Sequence, residues 1–314
     1  MNRQSFIPML AALTLVLAAC QGGGSASPSA NAGGGSKTIG LALSTLNNPF
    51  FVTLRDGAQA RAQELGLTLV VADGQDDLAK QVSQVEDFIT KKVAVIIVNP
   101  VDSDGIVPAV KKANDAKIPV ITVDRAANGG TVASHIASDN VAGAKAACDY
   151  LIKQISSGNV VELEGLAGTS AARDRGKGCK SALDAQSAVK LVASQTADFD
   201  RTKGLNVTQN LLQANADMKG VFAQNDEMAL GALQAIAAAG KSSQITVVGF
   251  DAVNDALTAI KGGKMAATIA QQPKLMGETA LASAKELVDG KSVQASQPVE
   301  VKLVTKDNVA DFMK

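Results

Sequence analysis

Five apolar, β-branched runs each finish on a single polar side chain. IIVN ends on Asn99, VITVD on Asp124, VFAQN on Asn225, VVGFD on Asp251 and TIAQ on Gln271. In open α/β sheets, ligands lie beyond the carboxyl ends of the strands. Five such residues would therefore project toward one crevice. Helix N-capping is the other use of Asn and Asp at these places, and it accounts for any one of them alone. It accounts poorly for Gln271, because Gln is not a favoured cap. For Asp124 and Asn225 both readings stay open. Chemically, the set suits a neutral, polyhydroxylated ligand. A hydroxyl both donates and accepts, carboxylates accept, guanidinium donates through a planar fork, and amides do both. Asp124-Arg125 offers an acceptor and a donor side by side. Arg173 and Arg175 could add donors, or could be ordinary surface ion pairs.

The Phe residues support the same picture. Phe50 and Phe51 follow the first strand in NNPFF, Phe199 lies in the turn ADFD, and Phe250 immediately precedes Asp251. Any one of them alone reads as core. Four of eight Phe beside these polar residues suggest flat apolar walls for the C–H faces of a ring.

The elements that must position these residues alternate regularly. Apolar runs at 38–43, 68–72, 93–98, 119–123, 159–164, 189–194, 220–224, 245–250 and 265–270 predict strands. Stretches with helical spacing lie near 50–65, 78–91, 103–116, 140–156, 171–185, 202–214, 227–239 and 273–289. Strands alternating with helices of this length predict an α/β fold with parallel sheets covered on both faces. There are too many units for one comfortable sheet, so two doubly wound lobes are expected.

Composition narrows the function. The 314-residue chain is 46% hydrophobic and balances 30 Lys and Arg against 30 Asp and Glu, so it lacks the basic footprint of a nucleic-acid partner. One His and no Trp leave little for imidazole catalysis or His-rich metal sites. His135 has no Cys or carboxylate spacing around it and reads as structural. No cofactor is implied.

The N-terminus reads as an address. Asn2 and Arg3 precede an apolar run from Phe6 to Ala19 that ends Leu-Ala-Ala-Cys. The run is shorter than the roughly 20 residues of a membrane-spanning helix and describes a secretory signal. The ending resembles a bacterial lipobox, which would make residues 1–20 a lipoprotein signal peptide and Cys20 the lipidated residue. Residues 21–36 hold only Gly, Ser, Ala, Pro, Gln and Asn and read as a flexible tether. GGGSKT there lacks the spacing of a phosphate loop. Cys148 and Cys179 fall on predicted helices; in an exported chain, a disulfide and two buried thiols both remain open.

Beyond these local readings, nine segments in order resemble the periplasmic ribose-binding protein family, of the type I periplasmic binding fold. They are STLNNPFF, IVNPVDSD, PVITVDR, SHIASDNVAG, GTSAARDRG, ADFDR, FAQNDEMALGAL, VVGFD and ATIAQ, spread over 37 to about 304. The resemblance implies a non-catalytic binding protein that closes by a hinge over D-ribose, or over allose, xylose, a furanose or autoinducer-2. Its implied ligand set is Asn48, Phe50, Phe51, Asn99, Asp124, Arg125, Arg175, Phe199, Asn225, Phe250, Asp251 and Gln271, with Arg173 left as scaffold. It also implies an N-terminal lobe of 37–138 plus 272–300 and a C-terminal lobe of 139–271 plus 301–314. The crossings would lie near Ser138/Asp139, Gln271/Gln272 and Glu300/Val301. The implied partner is an ABC permease with its ATPase. The expected form is a monomer held at a membrane through a lipid anchor, and a chemoreceptor reading the closed form stays open. A transcription regulator sharing this fold would need a DNA-binding module where the signal and tether stand. An enzyme would need an acid–base or nucleophile arrangement that these motifs do not supply.

Overall fold

The computed structural model describes residues 36–313, so the signal segment 1–20 with Cys20, and tether residues 21–35, lie outside the described residues. Two six-stranded sheets organise the chain. In sequence the elements are β1 (Thr38–Leu43), α1 (Pro49–Glu64), β2 (Thr68–Asp73), α2 (Leu78–Thr90), β3 (Val95–Val98), α3 (Val107–Asp115), β4 (Val120–Val123) and β5 (Ser134–Ser138). Then come α4 (Asn140–Ile155), β6 (Gly158–Glu164), α5 (Ser170–Asp184), β7 (Val189–Thr196), α6 (Arg201–Ala214), β8 (Met218–Ala223) and α7 (Asp226–Ala238). Last are β9 (Thr246–Val248), α8 (Asn254–Lys261), β10 (Ala267–Ala270), α9 (Pro273–Val288), β11 (Ser296–Val299), β12 (Lys302–Thr305) and a 3-10 turn, Val309–Phe312.

The first sheet runs β11-β5-β4-β3-β1-β2 and the second β12-β10-β9-β8-β6-β7. Leaving out the last strand of each, both repeat one doubly wound order, in which the strand order reverses beside the first strand. The pairings are parallel except β10 with β12, which is antiparallel. That edge departs from the purely parallel expectation. The chain changes sheet after β5, again between β10 and α9, and between β11 and β12. At the last two passages Gln272 Nε2 donates to the Glu300 carbonyl at 3.0 Å.

Period-2 alternation sets the layers. On β1, Ile39, Leu41 and Leu43 pack with Leu54 and Ala58 of α1 and Met276 and Ala280 of α9, while Ala42 faces Val85 and Phe88 of α2. On β3, Val95 and Ile97 take the first side and Ile96 and Val98 the second. The second lobe repeats this: Val221 and Ala223 of β8 face one core and Phe222 the other. Each of the large side chains among these contributes about 1.5–3 kcal/mol on leaving water. Helix α9 docks on α1 because Gly57 and Gly277 let backbone meet backbone; a Cβ at either would collide with the facing main chain.

The predicted strands and helices are present with shifted ends. Helix 103–116 shortens to α3, since Asp102 Oδ1 accepts from the Gly105 N–H at 2.6 Å and holds a turn there. The expectation had no β5, α8, β11 or β12. Cys148 and Cys179 are disulfide-bonded, with Cα atoms 5.2 Å apart, which closes the question left by spacing alone. The bond ties α4 to α5 across 31 residues, a loop for which chain entropy gives about 3–4 kcal/mol. The chain's one Tyr, Tyr150, packs on the same core and there is no Trp, so intrinsic fluorescence reports this lobe. Unfolding followed by Tyr150 should lose about 2–4 kcal/mol with reductant or in the Cys148→Ala/Cys179→Ala chain. An unchanged midpoint would show that the bond contributes nothing.

Candidate ligand-binding site

On the first lobe, the turn into α1 presents two rings. Asn48 caps the helix, its Oδ1 accepting from the Phe50 N–H at 2.9 Å, and Pro49 fixes the first helical position. Phe50 and Phe51 are thereby locked edge to face, with centroids 5.2 Å apart. After β4 no helix follows. The chain instead turns through Asp124 at φ 63, a left-handed conformation that costs about 1–3 kcal/mol for a residue with a side chain. This aims the carboxylate inward. Asp124 Oδ2 accepts from Asn99 Nδ2 at 3.1 Å, and Oδ1 has no partner. Arg125 donates to the Pro100 carbonyl at 3.3 Å and lies over the rings of Phe51 and Phe199, at 5.2 and 5.3 Å, with its Nε unpartnered.

On the second lobe, Arg175 projects from the second turn of α5. Its Nε donates to Asn140 Oδ1 at 2.8 Å and its Nη1 to the Gln224 carbonyl at 2.7 Å. The guanidinium lies 3.9 Å above the Phe250 ring and 3.6 Å from Asp251 Oδ1. Gln271 Nε2 donates to the same oxygen at 2.6 Å, leaving Gln271 Oε1 unpartnered. Asp251 has φ 129 and Phe199 φ 60, so the second lobe, like the first with Asp124, holds pocket-lining residues in uncommon backbone conformations. Asn225 serves two ends: Oδ1 caps α7 by accepting from the Met228 N–H at 3.0 Å, and Nδ2 donates to the Phe199 carbonyl at 3.2 Å.

Between the lobes, a small pocket is lined by Asn48, Phe50, Phe51, Asp124, Arg125, Ala171, Arg175, Phe199, Asn225, Asp251 and Gln271. Ten of the twelve implied ligand residues are thus brought together. The other two stand one step back. Asn99 spends its side chain on the Ser44 N–H, the Val123 carbonyl and Asp124, and so holds the carboxylate rather than facing the cavity. Phe250, 0% exposed, is the floor beneath Arg175. Arg173 is exposed on the outer face of α5. Ala171 had no chemical signal in the sequence. Gln81 was also missed: it donates to the Asn99 carbonyl and accepts from the Val101 N–H, both at 2.8 Å, which fixes the loop behind Asp124.

Two carboxylates and two guanidiniums make the lining formally neutral. Burial pushes the Asp124 carboxyl up, opposed first by Arg125. Burial likewise pushes Asp251 up, to about 7, opposed by Arg175. Burial lowers both guanidiniums, yet a guanidinium keeps its proton in proteins. The unsatisfied atoms decide the chemistry. Asp124 Oδ1 and Gln271 Oε1 are acceptors and Arg125 Nε is a donor, all buried without partners. Each costs about 1–3 kcal/mol unless something fills it. A ligand with several hydroxyls fills all three. The lining contains no Ser, Thr, Cys or His side chain.

Two doubly wound lobes with a polar, neutral cavity between their strand ends define the class of two-lobed solute-binding proteins. Residues 39–292 match the periplasmic binding protein domain family, and the chain belongs to that family. It is 55% identical over 270 residues to the ribose import binding protein of Salmonella typhimurium, covering 86% of this chain and 90% of that one. It is 52% identical over 270 residues to the ribose import binding protein of Haemophilus influenzae, covering 86% and 91%. Among solved structures, an ABC transporter solute binding protein from Bacillus halodurans with bound myo-inositol superposes with a TM-score of 0.86 at 32% identity, covering 90% and 98%. The family is one of exported substrate-binding proteins, not an enzyme family. No helix among the described residues is long and apolar enough to cross a membrane.

Behind Arg175, a buried chain of contacts titrates near neutrality. Gln224 donates from Nε2 to Glu162 Oε1 at 2.8 Å, and its Oε1 accepts from the Gly165 N–H at 2.8 Å. Burial pushes the Glu162 carboxyl up from its ordinary 4.5 to about 7. The folded state therefore holds this proton more tightly than the unfolded chain does. The associated stability is complete below pH 4.5 and is lost as pH rises through about 7. Glu162→Gln removes the titrating group. Its stability relative to the parent should rise between pH 5 and pH 8 by roughly 2–3 kcal/mol, read from denaturant unfolding. A difference that stays flat with pH would refute this account of Glu162.

Proposed function

We propose that the cavity captures D-ribose and that the closed protein delivers it to an ABC permease and its ATPase. The observation that carries this reading is the set of unpartnered atoms on pocket-lining residues, an acceptor from Asp124, a donor from Arg125 and an acceptor from Gln271. Asp124 and Asp251 would accept hydroxyl protons, Arg125 and Arg175 would donate, and Phe50, Phe51 and Phe199 would enclose the ring. The choice of ribose follows from relatives that are identical at more than half of the 270 aligned residues and are named for ribose import, against 32% identity for the structure with bound myo-inositol. Binding is the whole of the activity on this reading: the ligand leaves chemically unaltered. The protein works as a monomer tethered outside the membrane by a lipid on Cys20, within reach of its permease; the closed form is also the form a chemoreceptor would read.

Calorimetric titration of the sugar-free chain against D-ribose, allose, xylose, galactose and autoinducer-2 tests the ligand. The expected result is one-to-one binding, tightest for D-ribose. Tighter binding of another member would overturn the ligand while keeping the site, and silence with all five would overturn both.

Asp124→Ala removes a charged acceptor and leaves Arg125 without its carboxylate. Hydrogen bonds to charged groups contribute about 1.5–3 kcal/mol, so affinity should fall by roughly tenfold to a hundredfold or more. Parent-like affinity in this variant would sink the site assignment.

A further inference from the structure

Away from the cavity, three hydrogen bonds cross directly from one lobe to the other. The Ser103 N–H donates to the Gly168 carbonyl at 3.0 Å. The Ser170 N–H donates to Ser103 Oγ at 3.2 Å. The Ala126 N–H donates to Ser170 Oγ at 2.8 Å. Both serines are buried, at 0% and 6% exposure, and neither lines the cavity. We propose that Ser103 and Ser170 form a clasp that sets ligand affinity by holding the lobes closed, without touching the ligand.

The placement of these residues supports that role. Ser103 lies on the loop between β3 and α3, and Ala126 directly follows the Asp124-Arg125 pair. Ser170 is the first residue of α5, the helix that carries Ala171 and Arg175 into the cavity. Capping of α5 is done by its neighbour: Thr169 Oγ1 accepts from the Ala172 N–H at 3.3 Å. Ser170 Oγ is therefore free for the opposite lobe. The loops meet at main-chain distance because Gly168 has φ +85 and no Cβ; a side chain there would collide with the Asp102 carboxylate. With the lobes parted, these groups would face water. Closing exchanges water for protein partners, a small net gain per bond.

The consequence is quantitative. For a protein that binds in its closed form, apparent affinity scales with the population of that form. Loosening the clasp lowers affinity for every ligand by one common factor, because the clasp contacts none of them. A residue in the cavity would change the ratios between sugars.

This inference rests on the closure and sugar-binding reading above. The test uses Ser103→Ala, Ser170→Ala and the double variant, titrated with D-ribose and one weaker sugar, with melting followed in ligand-free and saturated protein. Each single variant should bind roughly two- to tenfold more weakly, by the same factor for both sugars. The melting temperature of the saturated protein should fall more than that of the ligand-free protein, so the rise on saturation shrinks. Unchanged affinity, unequal factors, or an equal fall in both melting temperatures would each overturn the clasp. The unmutated chain is titrated first. If it binds no sugar, the ligand reading fails on its own. The clasp is then judged by hydrogen exchange in the ligand-free chain: faster exchange of the Ser170 amide in Ser103→Ala supports it, and an unchanged rate overturns it.

Discussion

Two carboxylates and two guanidiniums are taken out of water together between the lobes. Asp124, Arg125, Arg175 and Asp251 are each at most 6% exposed. Isolated buried charges cost several kcal/mol apiece, and opposite charges offset this only where geometry and further hydrogen bonds are good. Here the direct ion pairs are loose, at 3.9 Å for Asp124–Arg125 and 3.6 Å for Asp251–Arg175. The compensation comes from elsewhere. Amides of Asn99 and Gln271 hold the carboxylates, main-chain carbonyls of Pro100 and Gln224 hold the guanidiniums, and aromatic faces lie beside both cations. Asp124 Oδ1, Arg125 Nε and Gln271 Oε1, on residues that line the pocket, are left without protein partners.

Holding these charges explains structure that otherwise looks wasteful. Non-glycine residues in left-handed backbone at Asp124 and Phe199 each cost about 1–3 kcal/mol. Each turns a side chain toward the cavity that a regular strand end would point elsewhere. Gly165 stands where any side chain would displace the Phe199 ring. Buried polar residues accumulate behind the lining, such as Gln81 and Glu162, both under 5% exposed. They belong to the networks that fix Asn99 and Arg175.

Much of this was legible in the sequence, for a definite reason. A doubly wound sheet delivers the residue after each strand to one edge, so polar residues ending apolar runs point to the edge where the pocket lies. Asn225 shows that capping and lining the pocket are not exclusive, since it caps α7 and also lines the pocket. The failures have equally plain causes. Strands β5 and β11 carry Ser, His, Gln and Pro rather than apolar runs, and are strands because β5 pairs with β4 and β11 adds to the edge of β5. Helix α8 spans eight residues, too few for periodicity to register. Asn99 and Phe250 stand at the expected strand ends, yet sequence does not say whether a side chain lines the pocket or supports one that does. Ala171 offers only shape. The disulfide depended on a separation of 5.2 Å that no spacing reveals.

The repeated topology also divides the labour of recognition. The network around Asp124, through Asn99, Ser44 and Gln81, lies within the first lobe. That around Arg175, through Asn140, Gln224 and Glu162, lies within the second. Each half of the site is therefore fixed by its own lobe's core, whatever the distance between lobes. Few interactions need closure to exist: Arg125 against Phe199, and the Ser103–Ser170 contacts at the lip. On the proposed reading, closure would require little rearrangement inside either lobe. Specificity would then reside in two preorganised half-sites, and the strength of binding could be tuned at their shared border. A chain that crosses between its sheets three times can adjust that border without disturbing either half.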